Sequence, residues 1–428
     1  MRAIGRWSLT ALVINSTIGS GIFGLPSVVG GMLGPASVYA YLLAAAGIGI
    51  IMACLAEVAS QFRDAGGPYL YARAALGRFT GIQVAWLVWL TRLASAAANA
   101  NLFVIYLAEF WPAASRPLNR LFILTLVVGV LAVVNYRGVS SGTQVSNFFT
   151  LAKLLPLAIF IVAGLLYLHS HGRVPLQPTA ALHWSEALLL LVFAYGGFES
   201  ATLPMAEAKD PRRNAPFALL VSLAATTLIY TLVQVVVMGT LSDPTATDRP
   251  LAAAVRVIAG PLGAALMSVG ALAAVYGLMS SSMLNTPRLT YALAQRGDFP
   301  AQFAAVHPRF RTPHVSIVVY SVLSWVLTVA GSFRWNATLS AVSRLVVYGC
   351  VCLSLVALRR KQPEAEAFRL PVGAGFATVG MAFCAILVSR MGRGELIILA
   401  ATGTIALLNW LWVRQRSVRP VSSAAKSP

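Results

Sequence analysis

Residues 19–26 read Gly19-Ser20-Gly21-Ile22-Phe23-Gly24-Leu25-Pro26, and residues 195–204 read Tyr195-Gly196-Gly197-Phe198-Glu199-Ser200-Ala201-Thr202-Leu203-Pro204. Each stretch sits inside a long apolar segment. Each combines small residues that weaken a helix with a proline that starts a helix more readily than it continues one. Both segments are therefore expected to be helices interrupted near their middle. One such break reads most simply as a packing notch between helices. Two, each followed by proline, favour a functional reading.

The apolar context extends along the whole chain. Of 428 residues, 58% are hydrophobic and 11% charged, with a mean hydropathy of +0.76, which excludes an ordinary soluble enzyme. Runs of about 20 residues, enough to cross the hydrocarbon as a helix, are expected over twelve spans. These are 8–31, 36–61, 81–111, 121–136, 145–168, 185–206, 215–240, 262–293, 314–332, 337–358, 373–390 and 395–414. The N-terminal apolar run is too long for a cleaved signal peptide and reads as the first span. An even count puts both termini on one side. Of the 32 basic residues, 21 then fall on the side of the termini, 8 on the other, and Arg92, Lys153 and Arg344 within spans. That asymmetry marks the termini as cytoplasmic. It also accounts for the net charge of +19 without nucleic acid as a partner. The expected setting is a multi-pass plasma membrane protein in contact with the lipid bilayer.

Gly21 and Gly197 are 176 residues apart, five spans, so the second unit is inverted relative to the first. A second pair supports this. The segments 67–77 and 249–260 both read as short amphipathic helices opening at proline and closing at glycine, and their closing glycines are 183 residues apart. The expected organisation is a first five-helix repeat over 1–168, a second, inverted one over 185–358, two additional helices over 373–414, and a tail over 415–428. Broken helices at matching positions of inverted halves point to a binding site near the membrane midplane.

An unwound segment exposes amide N–H groups at the start of one half-helix and carbonyls at the end of the other. The N–H end attracts a carboxylate and the C=O end an ammonium group. Amides near Ser20, Gly21 and Ile22 are expected to take the carboxylate of an amino acid. Carbonyls near Thr17, Ile18, Phe193 and Ala194 are expected to take its amine, with Gly197 and Tyr195 completing the second break.

The motifs Gly19-Ser20-Gly21-Ile22-Phe23, Arg63-Asp64-Ala65-Gly66-Gly67-Pro68-Tyr69, Gly197-Phe198-Glu199-Ser200 with Asp210-Pro211-Arg212-Arg213-Asn214, and Arg288-Leu289-Thr290-Tyr291-Ala292-Leu293-Ala294 followed by Gly297-Asp298-Phe299-Pro300 resemble those of the amino acid-polyamine-organocation superfamily. The resemblance covers essentially the whole chain. It implies an all-α membrane protein with the leucine-transporter fold, a 5+5 inverted repeat and two further C-terminal helices. It also implies amino acid or amine transport by alternating access. Lys153, two turns into the fifth span, reads either as a lysine snorkelling to the surface or, by resemblance, as an amine standing where sodium-coupled relatives hold a cation. The second reading makes transport sodium-independent, driven by protons or by exchange. Glu199 in the second break suits gating or proton response, or else a structural cap for loose backbone N–H groups. Arg92 and Arg344 are expected to be structurally paired, and Glu57 to be an anchor.

The remaining walls are expected from Asn99, Asn101, Ser282 and its neighbours Ser280, Ser281 and Asn285, with Phe193 and Tyr195 as an aromatic lid. Arginine-agmatine exchangers of the superfamily place a tryptophan near the position of Ser282, and none stands here. A neutral amino acid is therefore the expected substrate, with an amine, polyamine or cationic amino acid antiporter as the alternative. A channel or transporter-like receptor shares the same sequence features. An intramembrane enzyme does not fit, because the five histidines map to loops and span ends. The four cysteines show no disulfide or metal spacing. No cofactor and no metal is implied, and the oligomeric state stays open.

Overall fold

The computed structural model describes residues 5–62, 66–138, 143–175, 182–199, 210–363 and 367–418. Fourteen α-helices are present among them. They are α1 (Arg6–Thr17), α2 (Gly21–Leu33), α3 (Ser37–Ser60), α4 (Gly67–Leu76), α5 (Arg78–Leu107), α6 (Pro117–Tyr136), α7 (Thr143–His171), α8 (Trp184–Tyr195), α9 (Pro211–Thr240), α10 (Pro250–Gln295), α11 (His314–Ala330), α12 (Phe333–Lys361), α13 (Gly373–Val388) and α14 (Arg393–Val418). Eight helical stretches are long and apolar enough to cross a membrane, and α8, α11 and α13 are shorter apolar helices.

The first expected span is cut in two, as α1 and α2. The cut falls at Ile18-Gly19-Ser20, and Pro26 lies inside α2 rather than opening it. The glycines therefore set this break, and the proline only removes one N–H from a helix already under way. The sixth span ends as a helix at Tyr195. Its expected second half, with Ser200 and Pro204, and the tail beyond residue 418 lie outside the described residues. The two expected short helices are present. The first is α4, which closes at Gly77 with φ +95°. The second is the opening part of α10, which turns at Gly260 with φ +74°. Both closures use a left-handed backbone open to glycine at little cost.

The helices sort by burial. Most of α5 and α12 is buried, whereas α6, α7 and α14 present apolar faces outward, as at Leu118 (82% exposed) and Phe122 (64%). Such a face is stable only against hydrocarbon. Small residues allow close approach inside: a methyl placed on Gly47 of α3 would lie 2.4 Å from the Phe383 ring of α13.

Charged hubs tie the ends of the helices together. The buried Asp298 accepts from Arg73 Nη1 at 2.7 Å, from Arg78 Nε at 2.8 Å and from the Tyr69 hydroxyl, and Asn409 Nδ2 donates to its carbonyl at 2.7 Å. Burial, and then the bond to Asp298, raises the Tyr69 phenol above its ordinary range, so it stays a donor. Glu57 of α3 is fully buried. It takes a bidentate pair from Arg359 of α12, both contacts at 2.7 Å, and the Leu370 N–H at 2.8 Å, with Arg369 at 3.8 Å. On the opposite side Glu109 pairs with Arg249 at 3.5 Å and with Arg256.

Glu57→Ala removes the acceptor from a pair whose carboxylate is buried, stranding Arg359 and the Leu370 N–H. It is expected to destabilise the detergent-solubilised protein by about 3 kcal/mol, read as a lowered thermal unfolding midpoint. An unchanged midpoint would show that Glu57 is not an anchor.

Candidate binding site at the helix breaks

At the first break Ile18 takes an extended conformation (φ −70°, ψ 97°) after its N–H bonds Ile14 O at 2.9 Å. The helix resumes at Gly21. The choice of glycine is enforced by the facing element: a methyl on Gly21 would lie 2.8 Å from Ala194 Cα at the end of α8. The second break approaches from the other side. Gly197 has φ +114°, and a methyl there would sit 2.2 Å from Ser16 O. The α1–α2 break and the glycine turn that ends α8 thus meet backbone against backbone, a contact that side chains larger than hydrogen would prevent.

The freed backbone groups find partners from distant helices. Tyr230 of α9 places its hydroxyl 3.0 Å from Thr17 O and 2.9 Å from Ala194 O, so its single proton serves one break at a time. Lys153 Nζ donates to Ile18 O at 2.9 Å and to Asn15 O. Its ammonium group therefore caps the end of α1, where the last carbonyls have no helical partner, and it does not snorkel. Glu199 accepts from the Gly197 N–H and from the Tyr348 hydroxyl, each at 2.9 Å, and pairs with Arg344 of α12 at 3.5 Å. The Arg344 guanidinium occupies the space a side chain on Gly196 would need, its Nη1 lying 1.0 Å from that methyl position. Arg344 is thus paired as expected, and the contacts of Glu199 are those of a carboxylate holding the break.

Beside these breaks lies a cavity of about 780 Å³. Eight of the expected site residues line it: Thr17, Ser20, Gly21, Phe193, Gly197, Ser282, Lys153 and Glu199. The Thr17 and Ser20 hydroxyls are buried with no hydrogen-bond partner, and Gly21 and Ile22 open α2, where amides lack acceptors within the helix. This end of the cavity is rich in unused donors. The carbonyl end differs from expectation. Thr17 O, Ile18 O and Ala194 O already receive Tyr230 or Lys153, and Phe193 O receives the Gly196 N–H at 3.2 Å. An ammonium group there would share acceptors rather than find them bare.

Two expectations are corrected. Asn101 does not line the cavity: it donates to Thr328 O at 3.1 Å and accepts from Arg120 at 2.5 Å, tying α5 to α11 and α6. Asn99, expected beside it, does line the cavity. Tyr195 forms no lid, since its hydroxyl is bonded to Tyr41 O at 3.0 Å and its ring packs on Tyr230. The groups expected from Ile18, Ile22 and Ala194 are backbone ones, and the side chains of all three are buried in the bundle. Phe193 does face the cavity, edge-on to Phe333 at 6.1 Å. Tyr230 and Tyr348 had no sequence signal of their own, because nothing local marks a tyrosine whose partners lie on other helices, from 36 to 213 residues away.

The cavity has one exposed rim. Leu12, Ser281, Asn285 and Arg288 are solvent-accessible lining residues near the beginning of α1 and in the final third of α10. Away from this rim α2 is packed against its neighbours, with Phe333 of α12 pressed on Gly24 and the Tyr106 hydroxyl of α5 bonded to Phe23 O at 2.8 Å.

A family profile described as amino acid permease matches residues 4–407. The methylthioribose transporter of Bacillus subtilis is 27% identical, over 86% of this chain and 84% of its own. The branched-chain amino acid permease BcaP of the same organism is 24% identical over 91% and 88%, and its serine/threonine exchanger SteT is 26% identical over 87% and 86%. These relatives are transporters, and none is named as an enzyme.

Gly196→Ala drives a methyl into the Arg344 guanidinium and is expected to lower ligand binding at least tenfold, whereas Gly129→Ala, with nothing within 4 Å, leaves binding unchanged. Equal binding by the two purified variants would show that the Gly196–Arg344 contact does not matter to the site.

Proposed function

Because the chain belongs to the amino acid permease family of the amino acid-polyamine-organocation superfamily, we propose that it is a secondary active transporter that carries amino acids across the plasma membrane by alternating access. The observation that carries this reading is the meeting of the α1–α2 break and the glycine turn that ends α8 at a cavity where the Thr17 and Ser20 hydroxyls lack acceptors among the described residues and the first turn of α2 presents its amides. A substrate carboxylate supplies those acceptors, and the shared carbonyls at Thr17 and Ala194 receive its ammonium group. In this reading residues 1–168 and 185–358 are inverted five-helix repeats, 373–414 adds two spans to make twelve, and the termini face the cytoplasm. The matched glycine closures at Gly77 and Gly260 support it.

Lys153 supports sodium independence. Its ammonium group already sits on Asn15 O and Ile18 O, so a metal cation brought to those oxygens meets a positive charge of its own sign. Transport then runs with protons or by exchange, with Lys153 as the group that changes partners and Glu199 as the brace of the second break. The described lining residues include four basic side chains, Arg92, Lys153, Arg288 and Arg344, against the single carboxylate Glu199. That balance disfavours cationic amino acids and polyamines. It leaves amino acids without net positive charge.

Purified protein in liposomes is expected to take up members of a panel of common amino acids, to show trans-stimulation by internal substrate, and to be indifferent to replacement of sodium by potassium. Flat uptake across the panel would refute the function, and sodium stimulation would refute the role given to Lys153. Lys153→Ala, which strands two carbonyls at the end of α1, is expected to cut the uptake rate at least tenfold, equivalent to about 1.4 kcal/mol.

A further inference from the structure

Asp298, Glu57 and Glu109 each hold two arginines within ion-pair distance. Glu199 holds one. Its oxygens are occupied by Arg344, the Tyr348 hydroxyl and the Gly197 N–H. Arg92 of α5 lies within electrostatic range of Glu199, yet its side chain makes no ion pair or hydrogen bond with any described residue, and its Nε is buried without a partner. Arg92 stands at the middle of the 30-residue α5, where an uncompensated charge in a membrane protein is costly and marks a pathway or a ligand.

Its surroundings are those of a ligand site. Arg92, Ser95 and Asn99 follow one another at one-turn spacing along α5, and all three line the cavity. Ser95 is bonded to Ser340 at 2.8 Å, while the buried Asn99 amide makes no hydrogen bond with a described residue. One face of one helix thus offers the cavity a free guanidinium and a free amide. These donors are separate from the break that takes the main-chain charges of an amino acid.

We propose that Arg92 and Asn99 form an anion subsite for the side-chain carboxylate of the substrate, so that the transported molecule is an acidic amino acid. The inference rests on the amino acid site described above and narrows its substrate class. A planar guanidinium presents paired N–H groups that match a carboxylate. A neutral side chain leaves that cation unpaired in a poorly solvated wall, and a basic one adds a further positive charge to a cavity already dominated by them.

The test compares L-glutamate with L-glutamine, equal in shape and different in side-chain charge, as competitors in counterflow with the full chain in liposomes. Glutamate is expected to half-saturate at a concentration at least tenfold lower, about 1.4 kcal/mol. Arg92→Gln is expected to bring the ratio to one or below while glutamine is still carried, a change of selectivity that a folding defect does not produce. If that variant fails to fold, the wild-type ratio decides alone. Wild-type uptake of glutamine equal to or better than glutamate overturns the subsite and leaves the amino acid transporter standing, whereas no uptake of any amino acid overturns both. The assay is run in gluconate and repeated in chloride. Arg92-dependent stimulation of glutamine uptake by chloride assigns the guanidinium to a free anion and overturns the side-chain assignment.

Discussion

A polypeptide crossing hydrocarbon has to satisfy its own backbone, and the α1–α2 break is where this chain declines to do so within a single helix. Everything near the cavity responds to that deficit. Lys153 comes from α7 to the last carbonyls of α1, and Tyr230 comes from α9 to a carbonyl on each break. Glu199 turns back to the Gly197 N–H and is itself held from α12 by Arg344 and Tyr348. Three helices distant in sequence are therefore positioned by one local failure of helical hydrogen bonding. The bonds they supply fall mainly on carbonyls, so the surplus left to a ligand is a surplus of donors. An anionic group is the natural complement of such a site, before any side chain on the far wall is considered.

The same accounting applies to charge. The excess of basic residues on the side of the termini reads in the sequence as a topology signal, and part of it has a second role in the fold. Arg73 and Arg78 clamp Asp298, and Arg359 and Arg369 clamp Glu57. With 13 acidic residues against 32 basic ones, carboxylates are scarce, and several are shared between two arginines. Sharing lowers the cost of burying each carboxylate and links helices that backbone bonds cannot join, since a helix saturates its backbone internally.

Much of this was legible beforehand, for identifiable reasons. Glycine-rich interruptions and apolar length are local properties, so the break at residues 18–20 and the short helices closing at Gly77 and Gly260 could be read directly. Lys153 and Glu199 stood out because ionisable residues at membrane depth are rare. The phase of α5 was not legible. Asn99 and Asn101 lie 200° apart on an ideal helix, and with α5 buried on nearly all sides no polar face tells which one meets the cavity. Both are expected there from the sequence, and Asn101 serves Arg120 and Thr328 instead. Pro26 does not open α2, and the contact that needs a glycine at its actual start, residue 21, is with Ala194, far away in sequence.

The conformation described here constrains how the proposed alternation of access has to work. The lining residues Leu12, Asn285 and Arg288 are exposed, while α2 is held by Phe333 against Gly24 and Phe193 and by Tyr106 against Phe23 O. To expose the same breaks on the opposite side, α2 has to part from α12 at Phe333, and α1 has to close on α10. Gly197 and Ser16 are in close backbone contact, too close for a methyl, which couples the ends of α1 and α8 in this conformation and makes the break at residues 18–20 and the turn after Tyr195 the candidate hinges of the proposed alternation. Lys153 and Tyr230, bonded to the carbonyls at those hinges, are the side chains whose hydrogen bonds such a movement has to carry along or break.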